Sequence, residues 1–76
     1  MSEYEILEIA SEIFEANIED KNLDLPIKDL KNWDSIKNLM LFNSIEESKN
    51  IQFSDEQIKS IASLRDILNA VGDINE

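Results

Sequence analysis

Apolar residues recur at helical spacing in the first part of the chain. Ser2 and Glu5 form a capping-box pattern, in which each side chain can bond the other residue's backbone N–H. The apolar positions then follow at intervals of three and four, with glutamates between them: Ile6, Ile9, Ala10, Ile13 and Phe14. One apolar stripe and one charged face are typical of a surface helix. We predict helix I over residues 3–17.

The helical pattern stops over residues 18–34, which contain the only proline, Pro26. A disordered linker has few apolar residues. This segment has six: Ile18, Leu23, Leu25, Ile27, Leu30 and Trp33. We therefore predict a long ordered loop packed over the core. Trp33 either anchors this loop or forms contact surface beside the next helix, and its large area favours the anchoring interpretation.

Residues 35–49 predict helix II, because Asp34 and Ser35 are good N-cap residues and the segment lacks glycine and proline. Its apolar residues include a consecutive run at 39–42, and helix neighbours point about 100° apart, so they cannot share one stripe. We expect three to be buried: Leu39, Phe42 and Ile45. We expect Ile36 and Met40 to be exposed contact residues.

Two shorter helices follow. Ser54 with Gln57 repeats the capping-box pattern and predicts helix III over residues 55–61. Ser63 precedes helix IV, predicted over residues 64–72, with Gly72 at a left-handed C-terminal cap. The chain is thus predicted to be all-α, a small irregular four-helix bundle forming one domain over residues 1–76.

Composition excludes several kinds of chemistry. The chain has no cysteine and no histidine, so disulfides, thiolate nucleophiles and the commonest general base are absent. We expect no metal site and no catalysis by the chain itself, and the segment Asp20 to Lys31 lacks the central glycine of a calcium-binding EF-hand loop. A formal net charge of -10 disfavours nucleic acid and anionic lipid and favours partner proteins with basic surfaces.

Targeting features are weak in the sequence. The first residues do not form a signal peptide, and no apolar run approaches about 20 residues. We expect a cytoplasmic monomer that does not insert into membranes.

Asp34 and Ser35 provide the one candidate site for chemistry. A serine in the first turn of a helix lies near free backbone N–H groups and the positive end of the helix dipole, which favours an attached phosphate. The alternative interpretation is that the pair only caps the helix. Physical reasoning by itself leaves both open.

Four short strings occur at Trp-Asp-Ser-Ile 33–36, Ile-Glu-Glu 45–47, Ile-Gln-Phe-Ser-Asp-Glu 51–56 and Ser-Leu-Arg-Asp-Ile-Leu 63–68. Together they resemble acyl carrier proteins across almost the whole chain. The family signature is Asp-Ser-Leu, and this chain has Asp-Ser-Ile. The tripeptide alone is weak evidence. Its position halfway along the chain, after a long loop and before two short helices, makes the resemblance specific.

The resemblance implies a non-catalytic carrier. A phosphopantetheinyl transferase, with magnesium, would move 4′-phosphopantetheine from coenzyme A onto Ser35, and the thiol of this arm would hold cargo as a thioester. Asp34 would be recognised by the transferase. Glu46 and Glu47 would face Arg and Lys residues of partner enzymes that activate or transfer acyl or aminoacyl groups. Ile36 would pack against the arm and the partner.

Cargo and pathway stay open. Lys37 and Met40 stand where fatty-acid carriers frequently have acidic residues, which favours a carrier for a specialised pathway. An acyl carrier of fatty-acid, polyketide-like or specialised biosynthesis is the first hypothesis. The alternatives are an aminoacyl or peptidyl carrier and an unmodified acidic interaction module.

Overall fold

The computed structural model describes residues 1–75, which contain four α-helices and no β-strand. The helices are α1 at Glu3–Phe14, α2 at Ser35–Lys49, α3 at Asp55–Ser60 and α4 at Leu64–Asn75. Two short 3₁₀ turns, Asp20–Asn22 and Ile27–Asp29, lie in the long loop. The all-α prediction is confirmed, and among the described helices none has the length and apolar character needed to cross a membrane.

The core lies where α1 packs against α2 and α4 and the long loop covers them. Burying one large apolar side chain stabilises a fold by about 1.5–3 kcal/mol, so a few such residues decide the stability of a small domain. The ring of Phe42, in the middle of α2, meets the ring of Phe53, in the link to α3, edge to face with their centroids 5.6 Å apart. The largest fully buried side chains are Phe14, Ile6, Leu23, Leu41, Ile45, Leu64, Ile67 and Val71.

Helix α1 begins as predicted but ends at Phe14, so the prediction of a helix to residue 17 is wrong. Glu15 adopts a left-handed conformation, with φ at 51°, and its N–H bonds back to the carbonyls of Glu12 and Ser11. The Phe14 carbonyl accepts a 2.9 Å hydrogen bond from the Asn32 side-chain amide. A contact from a distant loop therefore replaces the next helical turn, and local periodicity cannot reveal it.

The long loop is ordered, as predicted, and is attached to the junction between α3 and α4. The N–H of Ile27 donates to the Ala62 carbonyl at 2.8 Å, and the N–H of Arg65 donates to the Leu23 carbonyl at 2.9 Å. Trp33 is half-buried against the core, which confirms its anchoring role. Of the six apolar loop residues that we expected to pack over the core, Leu25 is instead exposed.

Helix α4 begins at the predicted residue but runs through Gly72 to Asn75, so the predicted end at residue 72 is wrong. Gly72 does not have a positive φ angle and is not a cap. At the other end, the Ser63 hydroxyl accepts the Asp66 N–H at 3.2 Å, while the Asp66 carboxylate accepts the N–H groups of Ala62 and Ser63. These reciprocal bonds fix the start of the helix.

The Gly72→Ala variant should be more stable than the wild type by about 0.5–1 kcal/mol, because glycine loses more backbone entropy in a helix than alanine does. A Cβ atom built at this position meets no other atom within 4 Å. Denaturant unfolding monitored by circular dichroism measures the difference. A variant no more stable than the wild type would contradict the placement of Gly72 inside α4.

The ion pair between Lys49 and Glu5 joins α2 to α1, with 2.6 Å between the ammonium nitrogen and a carboxylate oxygen. The hydrogen bond from Lys49, and after it the one from the Ser2 N–H, lower the pKa of Glu5 below its ordinary value of 4.5. A carboxyl group with a lowered pKa in the folded state stabilises the protein above its unfolded pKa. This stabilisation is lost as the pH falls through the folded value.

The free energy of unfolding should therefore be greater in the wild type than in Glu5→Gln near pH 7, and the difference should shrink as the pH falls below 4.5 and through the lowered pKa of the folded state. Subtracting the free energy of unfolding of Glu5→Gln from that of the wild type at each pH cancels the contribution of the other carboxyl groups, which both proteins share. Glu8→Gln, at an exposed position on the same helix, serves as the control. A difference that stays constant from neutral to acid pH would contradict the assigned role of the ion pair.

Candidate functional site

Ser35 is the first residue of α2 and follows the N-cap residue Asp34, as predicted. The Asp34 carboxylate accepts the N–H of Lys37 at 2.7 Å and so closes the first turn of the helix. The Ser35 side chain is exposed. The backbone N–H groups of Ser35 and Ile36 fall in the part of a helix where no intrahelical acceptor exists. The site thus combines an accessible hydroxyl with two free donors.

This donor set fits a phosphate ester on the Ser35 hydroxyl. Free N–H groups and the positive end of the helix dipole both stabilise negative charge. The first turn of α2 contains no acidic residue, and the neighbouring Asp34 carboxylate points to the Lys37 N–H. A phosphodiester here would therefore meet backbone donors, with a single carboxylate nearby.

Asn32 and Trp33, which precede the site, are each held by a side-chain hydrogen bond. Asn32 has a left-handed backbone with φ at 65°, and its amide donates to the Phe14 carbonyl at the end of α1. The Trp33 indole N–H donates to the Asn38 side chain at 3.3 Å. Sequence reasoning missed Asn32. Its only signal is that asparagine adopts the left-handed conformation more easily than most residues.

Three exposed apolar side chains lie beside Ser35 on the outer side of α2. They form what we call the outer ridge: Ile36, Leu39 and Met40, with exposed fractions of 72%, 64% and 48%. The predicted exposure of Ile36 and Met40 is confirmed. The predicted burial of Leu39 is wrong: helix geometry places it about 60° from both Ile36 and Phe42, and the rotation of α2 against the core leaves it on the exposed side. That buried face consists of Leu41, Phe42 and Ile45.

Glu46 and Glu47 have different surroundings, although the resemblance implies the same role for both. Glu46 is half-buried, and its carboxylate accepts the Phe53 N–H at 2.8 Å. It therefore fixes the chain that leaves α2. Glu47 is exposed. Negative charge at a helix C-terminus is unfavourable by a few tenths of a kcal/mol, and the bond to Phe53 offsets that cost for Glu46 only.

A cleft of about 290 Å³ lies between the long loop and α3. Its lining includes Trp33, which precedes α2, and Asn38, which lies about one helical turn from Ser35. The remaining lining residues are mostly apolar: Pro26, Ile27, Lys28, Phe42, Ile58, Ile61 and Ala62. The cleft has room for roughly ten groups the size of a water molecule.

A wider and more open concavity of about 620 Å³ lies at the opposite end of α2. We call it the polar concavity, and it is lined by Asn43, Glu46, Glu47, Asn50, Ile51 and Gln52. Although it is larger, its distance along α2 from Ser35 separates it from the candidate chemistry. The described residues also contain no group of three or more carboxylates placed to hold a metal ion.

The comparisons with known proteins do not assign a family. No protein-family model matches the chain, and the search of curated proteins gives no match.

Removing the Glu46 carboxylate should leave the buried Phe53 N–H without its partner. We expect Glu46→Ala to lower the free energy of unfolding by about 1–3 kcal/mol. Glu47→Ala is the matched control, since an exposed substitution on the same helix usually changes stability by less than about 0.5 kcal/mol. Urea unfolding of both variants tests the distinction. Equal stability of the two variants would contradict the structural role given to Glu46.

Proposed function

We propose that this protein is a carrier that holds acyl intermediates as thioesters on a 4′-phosphopantetheine arm attached to Ser35. The observation that carries the proposal is the exposed Ser35 hydroxyl at the start of α2, beside an apolar cleft and the outer ridge. The resemblance of the sequence strings to acyl carrier proteins supports the same proposal, as does the helical fold. The chain itself catalyses nothing in this proposal.

The attachment step is a phosphoryl transfer from coenzyme A. The Ser35 oxygen forms a bond to the phosphorus that bears the pantetheine, and the bond to the other phosphate of the pyrophosphate breaks. Adenosine 3′,5′-bisphosphate leaves, and the serine proton passes to a base of the transferase. The first turn of α2 presents the hydroxyl, and Asp34 keeps that turn closed.

The attached group supplies a thiol, which this cysteine-free chain lacks. The cleft between the loop and α3 favours an acyl cargo over an aminoacyl one, because much of its wall consists of large apolar side chains: Trp33, Phe42, Ile58 and Ile61. An aminoacyl group would bring a charge with no matching partner in such a wall. A small or medium acyl chain suits both the volume and the lining.

Incubation with coenzyme A and a broad-specificity phosphopantetheinyl transferase should increase the intact mass of the wild type by one phosphopantetheine group. Ser35→Ala should show no increase, because the acceptor oxygen is absent. Ser48→Ala is the matched control, since Ser48 is another exposed serine of α2, and it should be modified like the wild type. No mass increase for the wild type would overturn the proposal and favour an unmodified interaction module.

A further inference from the structure

One charged side chain is found among the described residues that line the cleft between the long loop and α3. It is Lys28, and no carboxylate is among the same lining residues. Lys28 is exposed, and none of the ion pairs within residues 1–75 includes it. An apolar cleft with few polar groups selects its ligand through the polar groups that it has. The ammonium group therefore favours a ligand with an apolar body and one negative charge.

The backbone at Lys28 is held in place by hydrogen bonds on both sides of the residue. The N–H of Ile27 donates to the Ala62 carbonyl at 2.8 Å, which joins the loop to the link between α3 and α4. The N–H of Asp29 donates to the Pro26 carbonyl at 2.9 Å and closes a 3₁₀ turn around Lys28. Only the side chain of Lys28 has to become ordered when an anion binds, so no backbone entropy is lost there.

The surroundings of the cleft are less acidic than the chain as a whole. The net charge of the chain is -10, but residues 20–37 contain four aspartates and four lysines, and their charges cancel. Helix α3, which forms the other wall of the cleft, has three charged residues outside the lining: Asp55, Glu56 and Lys59. An anion in the cleft would therefore meet an ammonium group without a competing carboxylate among the lining residues.

The apolar side chains of the cleft are only partly covered by the folded chain. Ile58 is 40% exposed, and Trp33 and Ile61 are half-buried. A methylene chain laid against them would remove apolar surface from water. The volume of about 290 Å³ has room for roughly ten groups the size of a water molecule. An acyl group of about six carbons with a carboxylate at its end, about nine non-hydrogen atoms in all, fits this space.

We propose that the cleft takes an acyl group that ends in a carboxylate, the monothioester of a dicarboxylic acid, and that Lys28 binds this carboxylate. The methylene chain lies against Trp33 and Ile58. The arm can place its cargo there because Asn38, which lines the cleft, is three residues from Ser35, about 4.5 Å along the axis of α2. The same ammonium group repels a cationic cargo. This inference rests on the proposed function, because it names the class of cargo on the same arm.

The test compares two cargoes that differ at the chain end: adipoyl, which ends in a carboxylate, and hexanoyl, which ends in a methyl group. A broad-specificity phosphopantetheinyl transferase loads each from its coenzyme A thioester onto the wild type, Lys28→Met and Lys31→Met. Lys31 is the matched control, since it is an exposed lysine of the same loop that does not line the cleft. Both variants lose one positive charge, so comparing them cancels the effect of net charge on stability.

The midpoint of thermal unfolding is measured for each loaded protein, and the hexanoyl value is subtracted from the adipoyl value. This difference should be lower in Lys28→Met than in Lys31→Met by roughly 2–5 °C, because only Lys28→Met removes the partner of the carboxylate. The indole N–H resonance of Trp33, the only tryptophan, should shift when adipoyl is loaded onto the wild type or Lys31→Met, and should shift less in Lys28→Met. Subtraction within each protein cancels any effect of the substitution on the fold itself.

The possible failures are distinguishable. If the wild type takes up no phosphopantetheine from coenzyme A, the proposed function is overturned, and the cargo inference with it. If the wild type is loaded but both variants give the same difference between adipoyl and hexanoyl, the cargo inference alone is overturned. It is also overturned if the Trp33 resonance shifts as far with the unacylated arm as with adipoyl, because the arm itself would then fill the cleft.

Discussion

The two backbone hydrogen bonds between the long loop and the junction of α3 and α4 are the constraint on which the rest of the structure depends. They join the Ile27 N–H to Ala62 and the Arg65 N–H to Leu23, across more than thirty positions of sequence. Without them, a loop of this length would have to be ordered by side-chain burial and by bonds at its two ends, such as the one from Asn32 to the Phe14 carbonyl. With them, Leu23 is fully buried, and the loop delivers Asp34 and Ser35 to a defined place.

Helix α2 has apolar residues on two opposite sides, whereas an ordinary surface helix has them on one side. One side must complete the core, while the opposite side carries apolar residues that the folded chain leaves in water. Exposing Leu39 and Ile36 sacrifices the stabilisation that burial would give, about 1.5–3 kcal/mol for each side chain. Burial of these side chains against any apolar surface would recover this free energy.

The sequence patterns correctly predicted the helix starts, because these depend on interactions within one turn. The capping boxes at Ser2 and Ser54 and the start of α2 at Ser35 are each closed by bonds within one turn. The ends of α1 and α4 were not predictable in the same way. The end of α1 depends on an amide from Asn32, and Gly72 is compatible with either a cap or a helix interior.

The same reasoning explains what the sequence could establish about the site. The spacing of apolar residues showed that α2 has too many of them for one stripe, but not which side Leu39 would take, because that depends on how the helix is rotated against α1. Glu46 and Glu47 are adjacent and chemically identical. They differ because the chain returns at Phe53, whose N–H donates to the Glu46 carboxylate, whereas the Glu47 carboxylate stays in solvent.

That separation gives two adjacent carboxylates different effects on the stability of this small acidic chain. A carboxylate at the C-terminal end of a helix opposes the dipole. For Glu46 the fold offsets this cost through the Phe53 N–H. Glu47 is exposed and lines the polar concavity, so its cost is reduced only by solvent. Only one of the two carboxylates is therefore held by the fold, although they differ by a single position in the sequence.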